Sequence, residues 1–139
     1  MDVLNNFIHY ATLVPDDRFK QGIGIEVYGE PRVKGTHGVY YLSDITSGDV
    51  VKIGETRCIR NRFHTQYRHV RNITNDRIRQ YIKTHGPLAV NIYEVPTFIE
   101  EVLGYEVPFT PIYDLERQII QEYKRHNNDT LPLLNIVGR

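Results

Sequence analysis

A run of arginines in the middle of the chain is the first feature that could contact phosphate. Between Arg57 and Arg79 the sequence has seven arginines and one acid, Asp76. The arginines are Arg57, Arg60, Arg62, Arg68, Arg71, Arg77 and Arg79. Guanidinium groups donate paired hydrogen bonds to phosphate oxygens, and contacts to a nucleic-acid backbone weaken as salt concentration rises. A solvated helix face has the same composition, so charge alone leaves both interpretations open.

The overall charge does not favour a nucleic-acid partner. Lysine and arginine total 17 and aspartate and glutamate total 17, so the formal net charge is +0. The acids cluster elsewhere, at Glu94, Glu100, Glu101 and Glu106 and in residues 114–122. We therefore expect a dipolar molecule in which one arginine-rich face still contacts phosphate locally.

Size and composition indicate one globular domain. The chain has 139 residues, of which 40% are hydrophobic and 24% charged, typical of a folded protein. Cys58 is the single cysteine, which excludes an intrachain disulfide and a zinc site built on several thiolates. No apolar stretch approaches the roughly 18 residues of a membrane span, so we expect a cytoplasmic protein.

The elements that would position these side chains begin with a hairpin. Residues 38–42 and 50–53 are rich in β-branched and aromatic types and flank a turn-forming stretch at 43–49, which predicts two antiparallel strands. Residues 88–95 predict a third strand. The fold class expected is α/β in the α+β sense, with a small mixed or antiparallel three-stranded sheet flanked by helices.

Helical spacing of apolar residues predicts the remaining elements. One helix runs past Ile59 and Phe63 to about Val70, a second covers 76–84, and a third contains Ile112, Leu115, Ile119, Ile120 and Tyr123. We also expect a helix from Asp2 to before Pro15, a short strand at 23–28, an irregular segment at 96–111 and a core-closing segment at 131–136. Residues 1–35 are interpreted as an N-terminal elaboration that is not an independent domain, and 36–139 as the core.

Read together, these segments resemble a known nuclease family. Gly38-Val39-Tyr40 is similar to the first half of the GIY-YIG signature, and Lys52-Ile53-Gly54 to the second half with lysine in place of tyrosine. Arg62 in the next helix, Glu116 in the last helix and Asn135 near the end follow in the family's order. The resemblance extends from Gly38 to about Asn135, and it implies a metal-dependent DNA endonuclease.

The resemblance also implies a role for each residue. Tyr40 would activate water, Arg62 would bind the phosphate, Glu116 would hold Mg²⁺ or Mn²⁺, and Asn135 would orient the site. Each has an alternative reading as a core tyrosine, a surface arginine, a first-turn acid or a backbone-bonding amide. Arg57 or Arg60 could replace Arg62 if the register shifts, and Asp114 or Glu122 could replace Glu116. Arg57, Arg60, Arg68 and Arg71 are further candidate DNA contacts.

Two departures from the family pattern concern the same site. Lys52 would place a fixed cation beside the scissile phosphate, as in some restriction enzymes of the family. One turn after the arginine the family commonly has His or Tyr, whereas this chain has Gln66. Either Tyr67 takes that role through a local shift or the role is absent. His64 on another face, and also His37 and His69, are alternative substitutes.

The expected activity is therefore cleavage of DNA by a restriction-like or phage or mobile-element nuclease. Specificity would come from the N-terminal arm, from residues 72–75 or from the 96–111 segment. A homodimer would allow both strands to be cut. The alternatives are a catalytically inactive module of this fold that binds nucleic acid or protein, and an unrelated α/β domain that matches the motif by accident.

Overall fold

The protein has seven strands and four separate helical regions in the part that the structure describes. A computed structural model describes residues 2–28 and 37–135. The strands are β1 (Ile8–Pro15), β2 (Ile23–Val27), β3 (Gly38–Asp44), β4 (Val50–Thr56), β5 (Leu88–Glu94), β6 (Phe98–Val102) and β7 (Tyr105–Phe109). The helices are α1 (Ile59–Asn61), a π-helical turn (Arg62–Gln66), α2 (Tyr67–His69), α3 (Ile73–His85) and α4 (Ile112–His126), preceded by a 3-10 helix (Asp2–Asn6). Of the predicted segments, residues 29–35 and Ile136 lie outside the described residues.

The central sheet is antiparallel and has the strand order β2-β1-β5-β3-β4. The predicted α+β class is thereby confirmed, and the predicted strand at 23–28 corresponds to β2. The sheet has five strands rather than three, because the N-terminal segment contributes β1 and β2 to it.

The prediction of a helix from Asp2 to before Pro15 is wrong. Only a short 3-10 helix forms there, and β1 follows it. Strand β1 pairs with β5 on one side and β2 on the other, and it buries Tyr10, Ala11 and Leu13. The apolar spacing fits a short helix equally well, and pairing on both edges decides in favour of a strand.

The predicted hairpin of β3 and β4 is confirmed, and its register fixes which side chains share a face. Tyr40 lies opposite Gly54, and Leu42 lies opposite Lys52. Because side chains alternate along a strand, these four residues face one side of the sheet, while Val39, Ile53 and Glu55 face the other. Strand β4 is an edge strand, so side chains from both faces can meet beside it.

Each face of the sheet has its own core. On one side Tyr40 and Leu42 pack with Phe63 and Tyr67 of the first helical region and with Ile82 of α3. On the other side Val39 and Ile53 pack with the α4 residues Ile112, Ile119 and Ile120. The two helical layers therefore meet at the β4 edge.

Helices α3 and α4 confirm the predicted second and third helices, although α3 begins earlier than predicted. α3 begins at Ile73 rather than Asp76, because Asn72 caps it: the Asn75 backbone N–H donates to Asn72 Oδ1 at 2.8 Å. Asn, Ser, Thr and Asp are favoured at this position since they accept from an otherwise unpaired first-turn N–H. The cap therefore stabilises the first turn of α3 and sets where the helix begins.

The segment 96–111 is not irregular as predicted. It contains the hairpin of β6 and β7, joined by Leu103 and Gly104, both with positive φ (52° and 82°). All ten strand residues of this hairpin are exposed. Within residues 2–28 and 37–135, no helix is long and apolar enough to cross a membrane.

Candidate active site

A polar cavity beside β4 brings together the five candidate catalytic residues. Its volume is about 110 Å³, and its lining includes Tyr40, Lys52, Arg62, Glu116 and Asn135. These residues come from β3, β4, the π-helical turn, α4 and the C-terminal segment. The sequence separates them by up to 95 positions, and the fold brings them together at one sheet edge.

Tyr40 depends on Gly54 for its position. A Cβ atom at residue 54 would lie 2.5 Å from the Tyr40 Oη atom and 2.6 Å from its Cζ atom, so a side chain there would displace the phenol. At Gly38 a Cβ atom would lie 2.5 Å from the backbone oxygen of Tyr93. The glycines of both motif halves therefore have a steric role, since they let neighbouring groups approach the backbone closely.

The π-helical turn places Tyr67 beside Tyr40. The Tyr67 backbone N–H donates to the Arg62 carbonyl, five residues back, so this turn contains one residue more than an α-helical turn. As a result Arg62 Cζ lies 5.7 Å from the centroid of the Tyr67 ring, and the hydroxyls of Tyr40 and Tyr67 are hydrogen-bonded to each other. The π-helical turn thus brings Tyr67 rather than Gln66 into contact with Tyr40, and a catalytic role for Tyr67 stays a prediction.

Arg62 is the arginine that lines the cavity with Tyr40. Its Nε atom is buried and has no hydrogen-bond partner among the described residues. Arg57 instead contacts Tyr113, with its Cζ atom 5.5 Å from the ring centroid. Arg60 is exposed and lines a separate cavity with Tyr10 and His64. The geometry therefore favours Arg62 over its two alternatives as the phosphate contact.

Burial opposes ionisation of the two tyrosines. It raises the pKa of Tyr40 above its ordinary value, and the charge of Arg62 and a hydrogen bond with Tyr67 lower this pKa by less. Burial and the neighbouring Tyr40 raise the pKa of Tyr67 still further, against a lowering effect of Arg62. The charge of Arg62 thus favours a lower pKa for Tyr40, and burial outweighs it.

Two buried carboxylates line the same cavity. Glu116 comes from α4 and Glu55 from β4, and each is 9% exposed. Of the alternatives to Glu116, Asp114 is exposed beside an apolar cavity, and Glu122 forms ion pairs with Arg125 and His126. Sequence reasoning missed Glu55. Its signal was available, because Glu55 follows Gly54 and lies on the same face as the buried Ile53.

Carboxylate oxygens fit a hard divalent cation such as Mg²⁺ or Mn²⁺. No group of three His, Cys, Asp or Glu side chains arranged to hold a metal occurs within the described ranges. Glu116 and Glu55 line the same cavity, and two carboxylates are the type of partial oxygen shell that magnesium can complete with water and substrate oxygens.

Asn135 hydrogen-bonds to the edge of β4 that faces away from β3. Its Oδ1 atom accepts from the Ile53 backbone N–H at 2.9 Å, and its Nδ2 atom donates to the Ile53 carbonyl at 2.9 Å. The neighbouring Leu134 N–H donates to the Val51 carbonyl at 2.7 Å. Asn135 thus fixes the strand between Lys52 and Gly54, which is a positioning role.

The other candidates lie around this centre. His64 bonds Tyr10 at 2.6 Å on another side of the helix, and His37 bonds Thr97 at 2.7 Å. Gln66 contributes its backbone carbonyl to Asn75. Arg68 stacks on Phe19 with its Cζ atom 4.4 Å from the ring centroid, Arg71 pairs with Asp76, and His69 is exposed.

One wall of the cavity comes from the start of α3. Asn72, Thr74 and Asn75 line it together with the five candidate catalytic residues. Asn75 is 1% exposed, and its Nδ2 atom donates to the carbonyls of Gln66 and Val70. The 72–75 segment, which the sequence analysis considered as a source of specificity, thus belongs to the site.

Comparison with known proteins gives matches in structure and none in sequence. No protein-family model matches the chain, and no curated protein matches it by sequence. A structure of restriction endonuclease HPY188I in complex with product DNA matches with a TM-score of 0.59 and 19% identity, over 95% of this chain and 81% of that one. A mutant of bacteriophage T4 EndoII matches with a TM-score of 0.66 and 19% identity, over 94% of this chain and 91% of that one. The chain therefore shares the fold of a restriction endonuclease and of a phage endonuclease.

Proposed function

We propose that the protein is a metal-dependent DNA endonuclease of the GIY-YIG type that hydrolyses phosphodiester bonds. The observation that carries this proposal is the single cavity lined by Tyr40, Lys52, Arg62, Glu116 and Asn135. The resemblance selected these residues by type and order, without knowledge of their positions in space. Their convergence at one sheet edge supports a common chemical role.

Tyr40 accepts a proton from the attacking water in this proposal. The water oxygen bonds to phosphorus, and one of its protons passes to the Tyr40 phenolate. The bond from phosphorus to the departing sugar oxygen breaks, and that oxygen takes up a proton from solvent water. Once Tyr40 is a phenolate, its oxygen accepts the hydrogen bond that it shares with the Tyr67 hydroxyl, and Arg62 lies over the Tyr67 ring. This arrangement stabilises the phenolate against the effect of burial.

Two cations neutralise the phosphoryl oxygens. Arg62 lines the cavity, and its buried Nε donor has no hydrogen-bond partner within residues 2–28 and 37–135, so this donor is available to a phosphate oxygen. Lys52 lies on the same face of the sheet as Tyr40 and lines the same cavity. Positive charge fixed at the reacting phosphate favours the transition state more than the ground state.

Glu116 would hold the divalent cation, with Glu55 as the adjacent carboxylate. When bound, the ion would supply charge neutralisation at the phosphate and a lower pKa for nearby water and phenol groups. Asn135 would act one step away from the reaction, by holding β4 in register beside Lys52 and Gly54.

DNA is the proposed substrate, and a restriction-like or phage-type enzyme is the proposed class. The HPY188I structure that shares this fold contains product DNA. The arginines between residues 57 and 79 supply positive charge along the helices next to the cavity. A homodimer, in which each copy cuts one strand, would produce double-strand breaks.

Plasmid cleavage in Mg²⁺ or Mn²⁺ tests the proposal. We expect the parent protein to nick or linearise the plasmid, and Tyr40→Phe and Glu116→Gln to reduce cleavage by at least about 100-fold. Tyr41→Phe and Glu122→Gln are matched controls, because they remove the same groups outside the cavity. A folded parent that leaves plasmid, linear and branched DNA intact across both metals would overturn the enzyme proposal.

A catalytically inactive module that binds nucleic acid is the second candidate function. The observation in its favour is the raised pKa of Tyr40, since a protonated phenol cannot accept a proton from water. This candidate predicts duplex binding by the parent together with the absence of cleavage. The same plasmid assay, combined with a duplex-binding measurement, separates the two functions.

A further inference from the structure

We propose that the N-terminal end of α3 is a second phosphate-binding site, which holds a DNA phosphate next to the one bound by Arg62. The inference rests on the proposed function, since it names how the same cavity holds its substrate. It assigns a role to Asn72, Thr74 and Asn75, which the catalytic scheme does not use.

The first argument is the orientation of α3. Its 13 residues begin at Ile73, and the residues of its first turn line the cavity. The first N–H groups of a helix have no intrahelical partner, and together with the helix dipole they favour an anion. Asn72 caps the N–H of Asn75. The N–H groups of Ile73 and Thr74 and the hydroxyl of Thr74 are therefore the donors available to a ligand.

The second argument is an unpaired atom in the buried Asn75 side chain. Asn75 Nδ2 is directed to the carbonyls of Gln66 and Val70, and this leaves Oδ1 on the opposite side of the amide. Oδ1 is buried and has no hydrogen-bond partner among residues 2–28 and 37–135. A buried acceptor without a donor is costly. A hydrated phosphate satisfies this set, because its oxygens accept from the Ile73 and Thr74 N–H groups and from the Thr74 hydroxyl, while a water bound to it donates to Asn75 Oδ1.

The third argument is local charge. Asp76 lies in the first turn of α3 and would repel an anion, but both Arg71 and Arg79 pair with it, at 3.2 and 2.5 Å. The start of α3 therefore has net positive charge. The cavity carboxylates, Glu55 and Glu116, come from the opposite face of the sheet. One wall of the cavity thus suits a cation and the other an anion.

A matched pair of charge substitutions on α3 tests the site. Thr74→Glu places a carboxylate at the proposed phosphate position, and Gln80→Glu adds the same charge at an exposed position later in the same helix. Acids in the first turn favour a helix, so Thr74→Glu is expected to retain the melting temperature of the parent. Any loss of binding then reflects the site rather than unfolding.

The measurement is the affinity for a short duplex, by fluorescence anisotropy in the Glu116→Gln background without metal. We expect Thr74→Glu to weaken binding at least tenfold and to reduce the salt slope by about one phosphate contact, with Gln80→Glu changing affinity less than threefold. Equal affinities of the two variants would overturn the inference. If the parent still cleaves plasmid in that case, the inference fails and the proposed function stands; a parent that neither binds nor cleaves overturns both.

Amide spectra give a direct readout of the same site. Titration of ¹⁵N-labelled protein with the duplex should shift the Ile73 and Thr74 amide signals in the parent and in Gln80→Glu. Inorganic phosphate, titrated separately, distinguishes a general anion site from one that needs the DNA backbone. Unchanged Ile73 and Thr74 signals at saturating duplex would contradict the proposal.

Discussion

The hydroxyls of Tyr40 and Tyr67 share a hydrogen bond in the buried part of the site, although 27 positions separate them in the sequence. The bond exists because the π-helical turn moves Tyr67 into the place that Gln66 would take in a regular helix. The Tyr40 phenol and its partner are therefore brought together by an irregularity of one helical turn.

Removal of the Tyr67 hydroxyl should slow catalysis and shift its pH dependence. The hydrogen bond from Tyr67 lowers the pKa of Tyr40, so Tyr67→Phe raises this pKa. Because Tyr40 must be deprotonated to accept a proton, the rising limb of the pH–rate profile moves to higher pH. We expect the rate of cleavage at neutral pH to fall by up to about tenfold. Plasmid cleavage measured from about pH 6 to about pH 10 gives the profile. An unchanged profile would contradict the role of Tyr67, and Tyr28→Phe, at an exposed position away from the cavity, is the control.

Alanine at position 54 should displace Tyr40. Its Cβ atom would lie 2.5 Å from the Tyr40 hydroxyl oxygen, and overpacking of this kind costs about 1–3 kcal/mol of the free energy of unfolding. Chemical denaturation measures this cost, and plasmid cleavage should fall with it. Gly24→Ala is the control, because a Cβ atom there meets only the Asp16 side chain. Equal stability of the two variants would show that the close approach at Gly54 is unimportant.

Loss of the Asn135 amide should loosen β4 beside Lys52. Asn135→Ala leaves the Ile53 N–H and carbonyl without their side-chain partners, at a cost of about 1–3 kcal/mol. Asn135→Asp keeps the acceptor but places a buried carboxylate oxygen against the Ile53 carbonyl oxygen, so it should be at least as destabilising as the alanine variant. Thermal melting gives the order of stability. Hydrogen exchange of the Ile53 amide should rise in the alanine variant, and unchanged exchange would contradict the positioning role.

The Tyr81 hydroxyl should stabilise the fold through Asp44 at neutral pH. It donates to Asp44 Oδ2 at 2.6 Å and holds the pKa of that carboxyl below its ordinary value. A carboxyl with a lowered pKa in the folded state contributes stability above its unfolded pKa, near 4, and loses it as pH falls through the folded value. Tyr81→Phe should therefore cost about 1.5–3 kcal/mol at pH 7 and clearly less at pH 3.

The stability that Tyr81 and Asp44 contribute also depends on pH in alkaline solution. Burial and the contact with Asp44 raise the pKa of Tyr81 to about 12, so its contribution persists below pH 10 and is lost as pH approaches 12. Urea denaturation at pH 3 and 7 checks the acid limb, with the exposed Tyr113→Phe as control. A cost of Tyr81→Phe that is the same at both pH values would contradict the assignment to Asp44.

The sequence predicted the parts of the site that depend on residue type and order. The hairpin, Arg62, Glu116 and Asn135 follow from strand periodicity, turn composition and the resemblance, and all of them converge on one cavity. Helix α4 was also predictable, because its apolar residues recur at clear helical spacing over four turns. The catalytic roles of these residues remain predictions, because the position of a side chain does not show what reaction it takes part in.

Other features depend on tertiary contacts that a local pattern does not contain. Ile8 to Val14 fits either periodicity, and pairing with β5 and β2 makes it a strand. The π-helical turn follows from packing of Phe63 and Tyr67 against Tyr40, which spacing within one helix cannot show. Glu55 looks like a polar residue after a strand, and only the approach of α4 to the β4 edge makes it buried.

The contacts of Leu134 and Asn135 with β4 also limit how two copies can associate. An open edge strand presents backbone groups to any other chain, and sheets often extend through such edges. Here the Val51 carbonyl and both backbone groups of Ile53 are already occupied from within the same chain. A dimer of this protein would therefore have to form through another surface. Leu134 and Asn135 protect the β4 edge of the cavity from pairing with a second chain.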